Sequence, residues 1–334
     1  MSDDMNRRDF LIKSVLLSAG AALGKMSIEE RALLASSVNS PNTQQLNTYV
    51  ENLQTGKIGD LEISRLIIGG NLVAGYAHAR DLIYGNTLFK NYFTDEKIME
   101  TLQIAEEAGI NTVILNNHTR DMQPVNVLQR FWNEFGGEMH WIAQCNPQSD
   151  DIETNIQMAV DNGASAAFIQ GGIADRWVRL NRVDLIGEVI EFIKSNGIPA
   201  GVGGHSLEVP KAVESAGIHP DFYMKTLHHH NYWSARPEEV EGDFYADSGE
   251  SHDNIWCTNP RETAEFMQTV ERPWIAYKVL AAGAIHPSDG FKYAYESGAD
   301  FIVAGMFDFQ VREDVIIAKN TLAGELNRQR TWMG

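Results

Sequence analysis

The stretch DEKIMETLQIAEEAGINTVILNN, residues 95–117, contains one complete helix–strand unit. Apolar residues recur at helical spacing up to Gly109, where a helix C-terminus is expected, and a short apolar strand follows. The same order appears in VDLIGEVIEFIKSNG, residues 183–197, which also closes on glycine before the strand candidate IPAGVGG, residues 198–204. This alternation predicts an α/β fold with a parallel sheet.

Eight segments have the length and apolar content of buried strands: residues 64–70, 111–117, 140–146, 166–172, 198–204, 221–227, 273–279 and 300–306. Eight strands separated by helices in 334 residues predict a (β/α)8 barrel, the TIM barrel. An open doubly wound sheet is the alternative, but no GxGxxG motif follows the first strand. In such a barrel the active site is expected at the carboxyl ends of the strands.

The N-terminal stretch NRRDFLIKSVLLSAGAALG, residues 6–24, has two arginines followed by a short apolar run. This order is typical of a twin-arginine export signal, although an ordinary basic start to an N-terminal helix is the alternative. We therefore expect a signal over residues 1–24, a polar linker over 25–47 and a single barrel domain over 48–334. The expected location is the periplasm or otherwise outside the cytoplasm.

The composition limits the classes of partner. Acidic residues number 45 against 27 basic ones, which gives a net charge of −18. A surface this acidic disfavours nucleic acid and anionic lipid, and favours a small neutral or cationic ligand. The body of the chain has no apolar segment of membrane-spanning length. The oligomeric state, and whether Cys145 pairs with Cys257, stay open.

Five segments, in the right order, resemble the aldo-keto reductases. These are GKIGDLEISRLIIGGN (56–71), EEAGINTVI (106–114), GVGGHSLEVPKAVESAGI (201–218), IAYKVLAAGAI (275–285) and FIVAGMFDFQVREDVIIAK (301–319). The resemblance implies a (β/α)8 barrel with an N-terminal hairpin before its first strand.

The catalytic residues of that family do not carry over. The family uses Asp, Tyr, Lys and His, and the resemblance places Ile114, Gln144 and Gln170 where the Asp, Lys and His belong. Lys278 stands where a small serine usually covers the cofactor pyrophosphate. FDFQVRED, residues 307–314, replaces the basic cofactor clamp. We therefore predict a diverged barrel without the tetrad and without a nicotinamide site.

Three consecutive histidines lie in KTLHHHNYW, residues 225–233, directly after the sixth strand. His205 follows the neighbouring fifth strand. Converging imidazoles are typical ligands of a divalent transition metal such as Zn, Mn, Co or Ni. We predict a metal site formed by His205, His228, His229 and His230. A solvated loop start, and for His205 a loop hydrogen bonder, are the alternatives.

Further candidates lie at the predicted mouth. A buried lysine within a strand is expected to face the lumen, which predicts inward-facing Tyr223 and Lys225 on the sixth strand, and Trp274, Ala276 and Lys278 on the seventh. The predicted catalytic residues are Lys278, Lys225 and His118. The predicted substrate-binding residues are Asn116, Gln170 and Trp233.

The long connection over residues 231–260 is expected to form a lid. Together these features predict an exported metal-dependent enzyme acting on a carbohydrate, first a keto-sugar (3-keto-glycoside) lyase or a sugar epimerase or isomerase. The alternatives are a diverged NADPH-dependent aldo-keto reductase, or a non-catalytic barrel that binds a sugar or a metal.

Overall fold

The computed structural model describes residues 52–76, 82–117, 122–235 and 256–334. The predicted signal and linker, His118, and residues 236–255 of the predicted lid lie outside the described residues. Their sequence-based predictions therefore stay predictions.

A short antiparallel hairpin precedes the barrel, as predicted. It consists of β1 (Thr55–Ile58) and β2 (Leu61–Ser64), with Gly59 in the left-handed conformation at the turn. Ile58 and Ile63 are fully buried against the side chains that fill the barrel interior. The hairpin therefore closes the end of the barrel at which the strands begin.

The remaining strands form a closed parallel barrel, which confirms the predicted (β/α)8 class. They are β3 (Leu66–Gly69), β4 (Thr112–Asn116), β5 (His140–Cys145), β6 (Ala166–Ile169), β7 (Ala200–Gly204), β8 (Phe222–Thr226), β9 (Trp274–Tyr277) and β10 (Phe301–Ala304). Each strand pairs with its neighbours in chain order, and β10 pairs with β3 to close the ring.

Helices alternate with the strands, and the two predicted helices end next to the expected glycines, Gly109 and Gly197. The helices are α1 (Gly85–Tyr92), α2 (Asp95–Glu107), α3 (Gln123–Phe135), α4 (Thr154–Asp161), α5 (Gly171–Arg179), α6 (Val183–Ser195), α7 (Glu208–Ser215), α8 (Pro260–Met267), α9 (Pro287–Glu296) and α10 (Asp308–Ala323). In α2 the hydroxyl of Thr94 caps the first turn by accepting the Lys97 N–H at 3.3 Å. Gly109 follows the helix with a φ of 101°.

The inward face of two strands differs from the prediction. Phe222 and Met224 of β8 fill the barrel interior, whereas Tyr223 packs in the shell between the strands and the helices. The alternation of β8 therefore places Lys225 outside the lumen. Its Nζ, almost fully buried, donates to the carbonyl and hydroxyl of Thr226 at 3.0 and 2.9 Å.

The same correction applies to β9. Trp274 and Ala276 belong to the outer shell, and Ile275 and Tyr277 face inward. The prediction of the inward face failed because it assumed that a buried lysine needs the lumen. The carbonyl and hydroxyl of the next residue supply acceptors for that lysine outside the lumen.

The pairing of the two cysteines, which the sequence leaves open, is answered by the structure. Cys145 and Cys257 are both buried free thiols, and burial raises the pKa of Cys145 to about 12, so its thiol is not an activated nucleophile. Within the described part of the chain, no helix is both long and apolar enough to cross a bilayer.

Candidate active site

A cavity of about 610 Å³ opens at the carboxyl ends of the strands. Predicted residues from four different strand ends line it, namely Asn116, Gln170, His205 and Lys278. Its size lies within the range of roughly 300–1,000 Å³ that encloses small-molecule ligands. The cavity is therefore the candidate active site.

A buried carboxylate orients His205. Asp175 of α5 is fully buried, and one of its oxygens accepts the backbone N–H groups of His205 and Ser206, each at 3.0 Å. Its other oxygen lies 2.7 Å from Nδ1 of the His205 ring. An ionised carboxylate in this position places the ring proton on Nδ1, which makes Nε2 the basic nitrogen. The pair has the geometry of an oriented general base.

Tyr277, the last residue of β9, lies beside this pair. Its ring centroid is 5.4 Å from that of His205. A Cβ atom at position 171 would lie 2.7 Å from Tyr277 Oη and 3.0 Å from His205 Cε1, so Gly171 is required for this approach. The buried hydroxyl has no hydrogen-bond partner among the described residues, and burial raises its pKa well above the usual range. The hydroxyl of Tyr277 therefore stays protonated and can donate a hydrogen bond to a bound ligand.

The loop after β9 holds Lys278 in an unusual conformation. Lys278, Ala281 and Ala282 have φ angles of 60°, 44° and 56°, in the left-handed region that side chains other than glycine rarely adopt. Lys278 Nζ lies 3.3 Å from the ring centroid of Trp256, a cation–π contact that fixes the position of the charge. Strained backbone of this kind is concentrated at functional sites.

Two amides face the cavity with their oxygens already engaged. The Oδ1 atom of Asn116 accepts from Asn146 at 2.8 Å, and the Oε1 atom of Gln170 accepts the Ile173 N–H at 2.9 Å as the cap of α5. Each amide therefore presents its nitrogen as a donor. With Tyr277 and Lys278, this part of the cavity is rich in donors and suits a ligand rich in oxygen atoms.

A buried carboxyl group of α10 lines the cavity. Asp314 is 4% exposed, and no hydrogen bond or ion pair joins its carboxyl group to any of the described residues. Burial raises its pKa to about 7, with a smaller contribution from Glu313. An uncompensated carboxyl group of this kind is a candidate ligand-binding group.

The three histidines are held by the backbone. His228 Nε2 accepts the N–H groups of Trp256 and Cys257 at 2.9 and 3.0 Å, and Nδ1 donates to the His229 carbonyl at 3.0 Å. Burial lowers the pKa of His228 to about 3, so the ring is neutral. His230 Nε2 donates to the Cys257 carbonyl at 2.6 Å. These bonds join the end of β8 to the chain returning from the insertion.

These contacts bear on the predicted metal site. Both ring nitrogens of His228 are occupied, and His229 Nδ1 accepts the Asn231 N–H at 3.1 Å. Within residues 52–76, 82–117, 122–235 and 256–334, no three His, Cys, Asp or Glu side chains are grouped so as to hold a metal ion. His205 is oriented by Asp175 instead. The metal stays a prediction that would need His118 or other residues outside this part of the chain.

Two other predicted residues, Lys225 and Trp233, lie away from the cavity. Lys225 is buried in the outer shell and is absent from the cavity lining. Trp233 is 94% exposed and does not line the cavity either, whereas Trp256, at the other end of the insertion, contacts Lys278. Asp308, the first residue of α10, is engaged by Lys97 at 3.0 Å and by Tyr92.

Sequence reasoning missed Asp175, Tyr277 and Asp314. Asp175 lies on the buried face of α5 beside Ile173, Ala174 and Trp177, and a charge on an otherwise apolar face was a detectable signal. Asp314 likewise interrupts the buried face of α10. Tyr277 was missed because the inward face of β9 was assigned incorrectly.

Comparisons with known proteins identify the fold. No protein-family model and no curated protein matches the chain. A structure assigned as an aldo-keto reductase from Pseudomonas aeruginosa superimposes with a TM-score of 0.56 and 13% identity, covering 83% of this chain and 99% of the other. The holo form of an aldo-keto reductase from Bacillus halodurans gives a TM-score of 0.54 and 11% identity, covering 84% and 95%. At this identity the similarity shows the barrel fold alone.

Proposed function

We propose that this chain is an enzyme of carbonyl chemistry on a small polyhydroxylated molecule, with His205 as the proton-transferring group. The observation that carries the proposal is the buried Asp175–His205 pair at the cavity, with Tyr277 and Lys278 beside it. One base, one neutral acid and one cation around a common space are the groups that proton abstraction next to a carbonyl requires. An oxidised sugar is the substrate class that this donor-rich cavity fits best.

The reaction that follows is a proton transfer. His205 Nε2 removes the proton from the carbon next to the substrate carbonyl, and the electron pair moves to the carbonyl oxygen. Tyr277 Oη and Lys278 Nζ stabilise that oxygen. Returning the proton to the other face or another carbon gives an epimer or isomer. Breaking the C–O bond at the next carbon gives an enone, and His205 protonates the departing oxygen. The proposal thus keeps the predicted lyase or isomerase chemistry.

The predicted metal is not part of this proposal. Asp175 fixes the His205 ring through Nδ1, and the nitrogens of His228 are bound to backbone groups. Lys278, which lines the cavity, supplies the positive charge that polarises the carbonyl in this proposal.

A reductase is the second candidate function, because the structures that share this barrel include aldo-keto reductases. Asp175, His205, Tyr277 and Lys278 are also the four residue types that the resemblance implies, here contributed by α5 and by the ends of β7 and β9. The residues do not fit a nicotinamide dinucleotide, however. Lys278 is the one lysine among the described residues that line the cavity, no arginine joins it there, and Asp314 lies where the basic clamp belongs. We derive no step through that cofactor.

Hydrogen exchange tests the proposal directly. The full chain is incubated with methyl 3-keto-glucoside in D₂O, and NMR follows loss of the proton next to the carbonyl and any elimination product. We expect enzyme-dependent exchange that falls by about 10²–10⁴-fold in His205→Asn. His219→Gln is the matched control, because His219 is exposed and lies outside the cavity.

The competing outcomes are distinct. Exchange that is equal in wild type and His205→Asn would overturn the proposed role of His205. Oxidation of NADPH by a carbonyl substrate, lost in Tyr277→Phe and accompanied by no proton exchange, would establish the reductase instead.

A further inference from the structure

The cavity extends from His205 to a region beside α10 that the proposed proton transfer does not use. We call this region the α10 arm and define it by four lining residues: Phe89, Phe307, Gln310 and Asp314. A single sugar ring at the Asp175–His205 pair leaves room in a cavity of about 610 Å³. The α10 arm therefore needs an occupant of its own.

An aromatic cluster shapes one side of the arm. Phe307 stacks on Phe93 with ring centroids 5.4 Å apart, and Phe89 meets Phe307 edge-on at 5.6 Å. Because these rings fix one another, Phe89 and Phe307 present a rigid apolar surface to the cavity. Such a surface suits the C–H face of a ring.

Polar groups complete the arm. The Oε1 atom of Gln310 accepts the Phe307 N–H at 3.2 Å, so its amide nitrogen is the group left to act as a donor. Asp314, a residue that is 4% exposed, contributes a carboxyl group that has no described partner. An acceptor this well buried is costly unless something satisfies it. Vicinal hydroxyl groups satisfy a carboxyl group through two hydrogen bonds at once.

The charge of the arm restricts the occupant further. The described residues that line it include no lysine or arginine, and the exposed Glu313 adds a second acidic group nearby. A phosphate would be repelled there. The carboxyl group of Asp314 is partly protonated near neutral pH because its pKa is about 7. This weakens its attraction for cations but leaves it able to donate to, and accept from, hydroxyl groups.

We propose that the α10 arm is a subsite for a second, neutral sugar ring, so that the substrate is a glycoside and neither a free monosaccharide nor a sugar phosphate. This rests on the proposed function in one respect, namely that a sugar ring occupies the space at His205. In the arm, Asp314 receives two hydroxyl groups, Gln310 donates to a third oxygen, and the cavity-lining atoms of Phe89 and Phe307 contact the apolar C–H groups of the ring.

Calorimetric titration of the full chain tests the subsite without turnover. The probes are cellobiose, glucose, glucosamine and glucose 6-phosphate. We expect cellobiose to bind about tenfold or more tightly than glucose, and Asp314→Leu to weaken cellobiose by about 10–100-fold while leaving glucose unchanged. Asp314→Asn, which retains the shape, should weaken cellobiose less. Glu313→Gln is the matched control on the same helix and should bind both sugars as the wild type does.

Each other outcome overturns the subsite. Equal affinities for cellobiose and glucose would mean that the second ring is not recognised. Glucosamine binding more tightly than glucose, with the advantage lost in Asp314→Asn, would identify a cation site. Glucose 6-phosphate binding more tightly than cellobiose would show that the arm receives phosphate.

The two proposals can fail separately. Because the titration uses unoxidised sugars, a negative exchange experiment for His205 leaves the subsite measurement intact. Proton exchange with normal binding of cellobiose and glucose in Asp314→Leu would remove the subsite and retain the function of His205.

Discussion

Two buried aspartates have opposite surroundings. Asp300, immediately before β10 at the closed end of the barrel, accepts from Arg328 and from the backbone N–H groups of Trp274 and Met333, each at 2.9 Å, and also from Arg330. Asp314, beside the mouth, has no such partner among the described residues. The chain compensates a buried charge fully where only stability is at stake. It leaves Asp314 uncompensated beside the cavity, where we propose that a sugar ring binds.

The closed end is also sealed by the C-terminal residues. The guanidinium groups of Arg65 and Arg328 lie 4.0 and 3.8 Å from the ring centroid of Trp332. Arg65 also donates to the carbonyl of Asp300 at 2.9 Å. This closed-end network joins the start of β3 to the end of the chain, and nothing in it points to a ligand.

Asp300→Asn should produce the largest loss of stability. It leaves two almost fully buried guanidinium groups facing a neutral amide, and breaking a buried pair in this way costs about 3–5 kcal/mol. Equilibrium unfolding in urea measures the loss. Asp184→Asn, which breaks an exposed pair with Arg182, is the control and should cost less than about 1 kcal/mol. A loss below about 1 kcal/mol for Asp300→Asn would show that the closed-end network is not a stabilising one.

His228 extends the comparison. It follows β8 near the mouth, yet both of its ring nitrogens have hydrogen-bond partners, as the carboxylate oxygens of Asp300 do at the closed end. His228→Leu leaves the N–H groups of Trp256 and Cys257 without their acceptor, and we expect a loss of about 1–3 kcal/mol.

The pH dependence of this stability has a fixed sign. The unfolded chain takes up a proton near pH 6.5, whereas the folded ring does so near pH 3. The contribution of His228 is therefore complete above pH 6.5 and is lost as the pH falls towards 3. Urea unfolding at pH 7.5 and 5 should show a smaller fall for His228→Leu than for wild type. Equal falls would argue against a neutral buried ring.

The sequence predicted the barrel and the hairpin because periodicity is a local property. Each strand of four to six residues carries its own apolar signal, and the glycine after α2 marks a real helix end. Which face of a strand points inward is not local. The alternation in β8 shows that Tyr223 and Lys225 share a face, but the packing of the whole ring decides that Phe222 and Met224 fill the lumen.

The candidate site was also predictable only in part: the positions of residues at strand ends were, but their long-range partners were not. The sequence placed Asn116, Gln170, His205 and Lys278 at the mouth because strand ends converge there, and all four line the cavity. The partner of His205 was not found, because the Asp175 contact spans 30 residues and depends on how α5 packs against β7. The histidine cluster was assigned to a metal because its real partners could not be recognised from the sequence. The backbone groups that bind His228 and His230 belong to residues 256–257, which are 27 to 29 positions away.

Of the three variants tested for stability, Asp314→Asn should change the free energy of unfolding least, and it should stabilise the fold, whereas Asp300→Asn and His228→Leu destabilise it. Because the folded pKa of Asp314 is raised to about 7, the folded state keeps a proton that the unfolded chain releases near pH 4. The stability due to the protonated group is therefore lost as the pH rises from about 4 to 7. The Asn variant lacks this loss and should gain on wild type by on the order of 1–2 kcal/mol between pH 5 and 8, since water in the cavity screens part of the charge. Unfolding in urea at both pH values measures the gain, with Glu313→Gln expected to show only a small part of it, because Glu313 makes the smaller contribution to the raised pKa. A gain would show that the charged carboxyl group of Asp314 lowers the stability of the fold, as is expected of a group kept for binding. An Asp314→Asn variant that loses stability at pH 8, as Asp300→Asn does, would mean that both aspartates serve the fold.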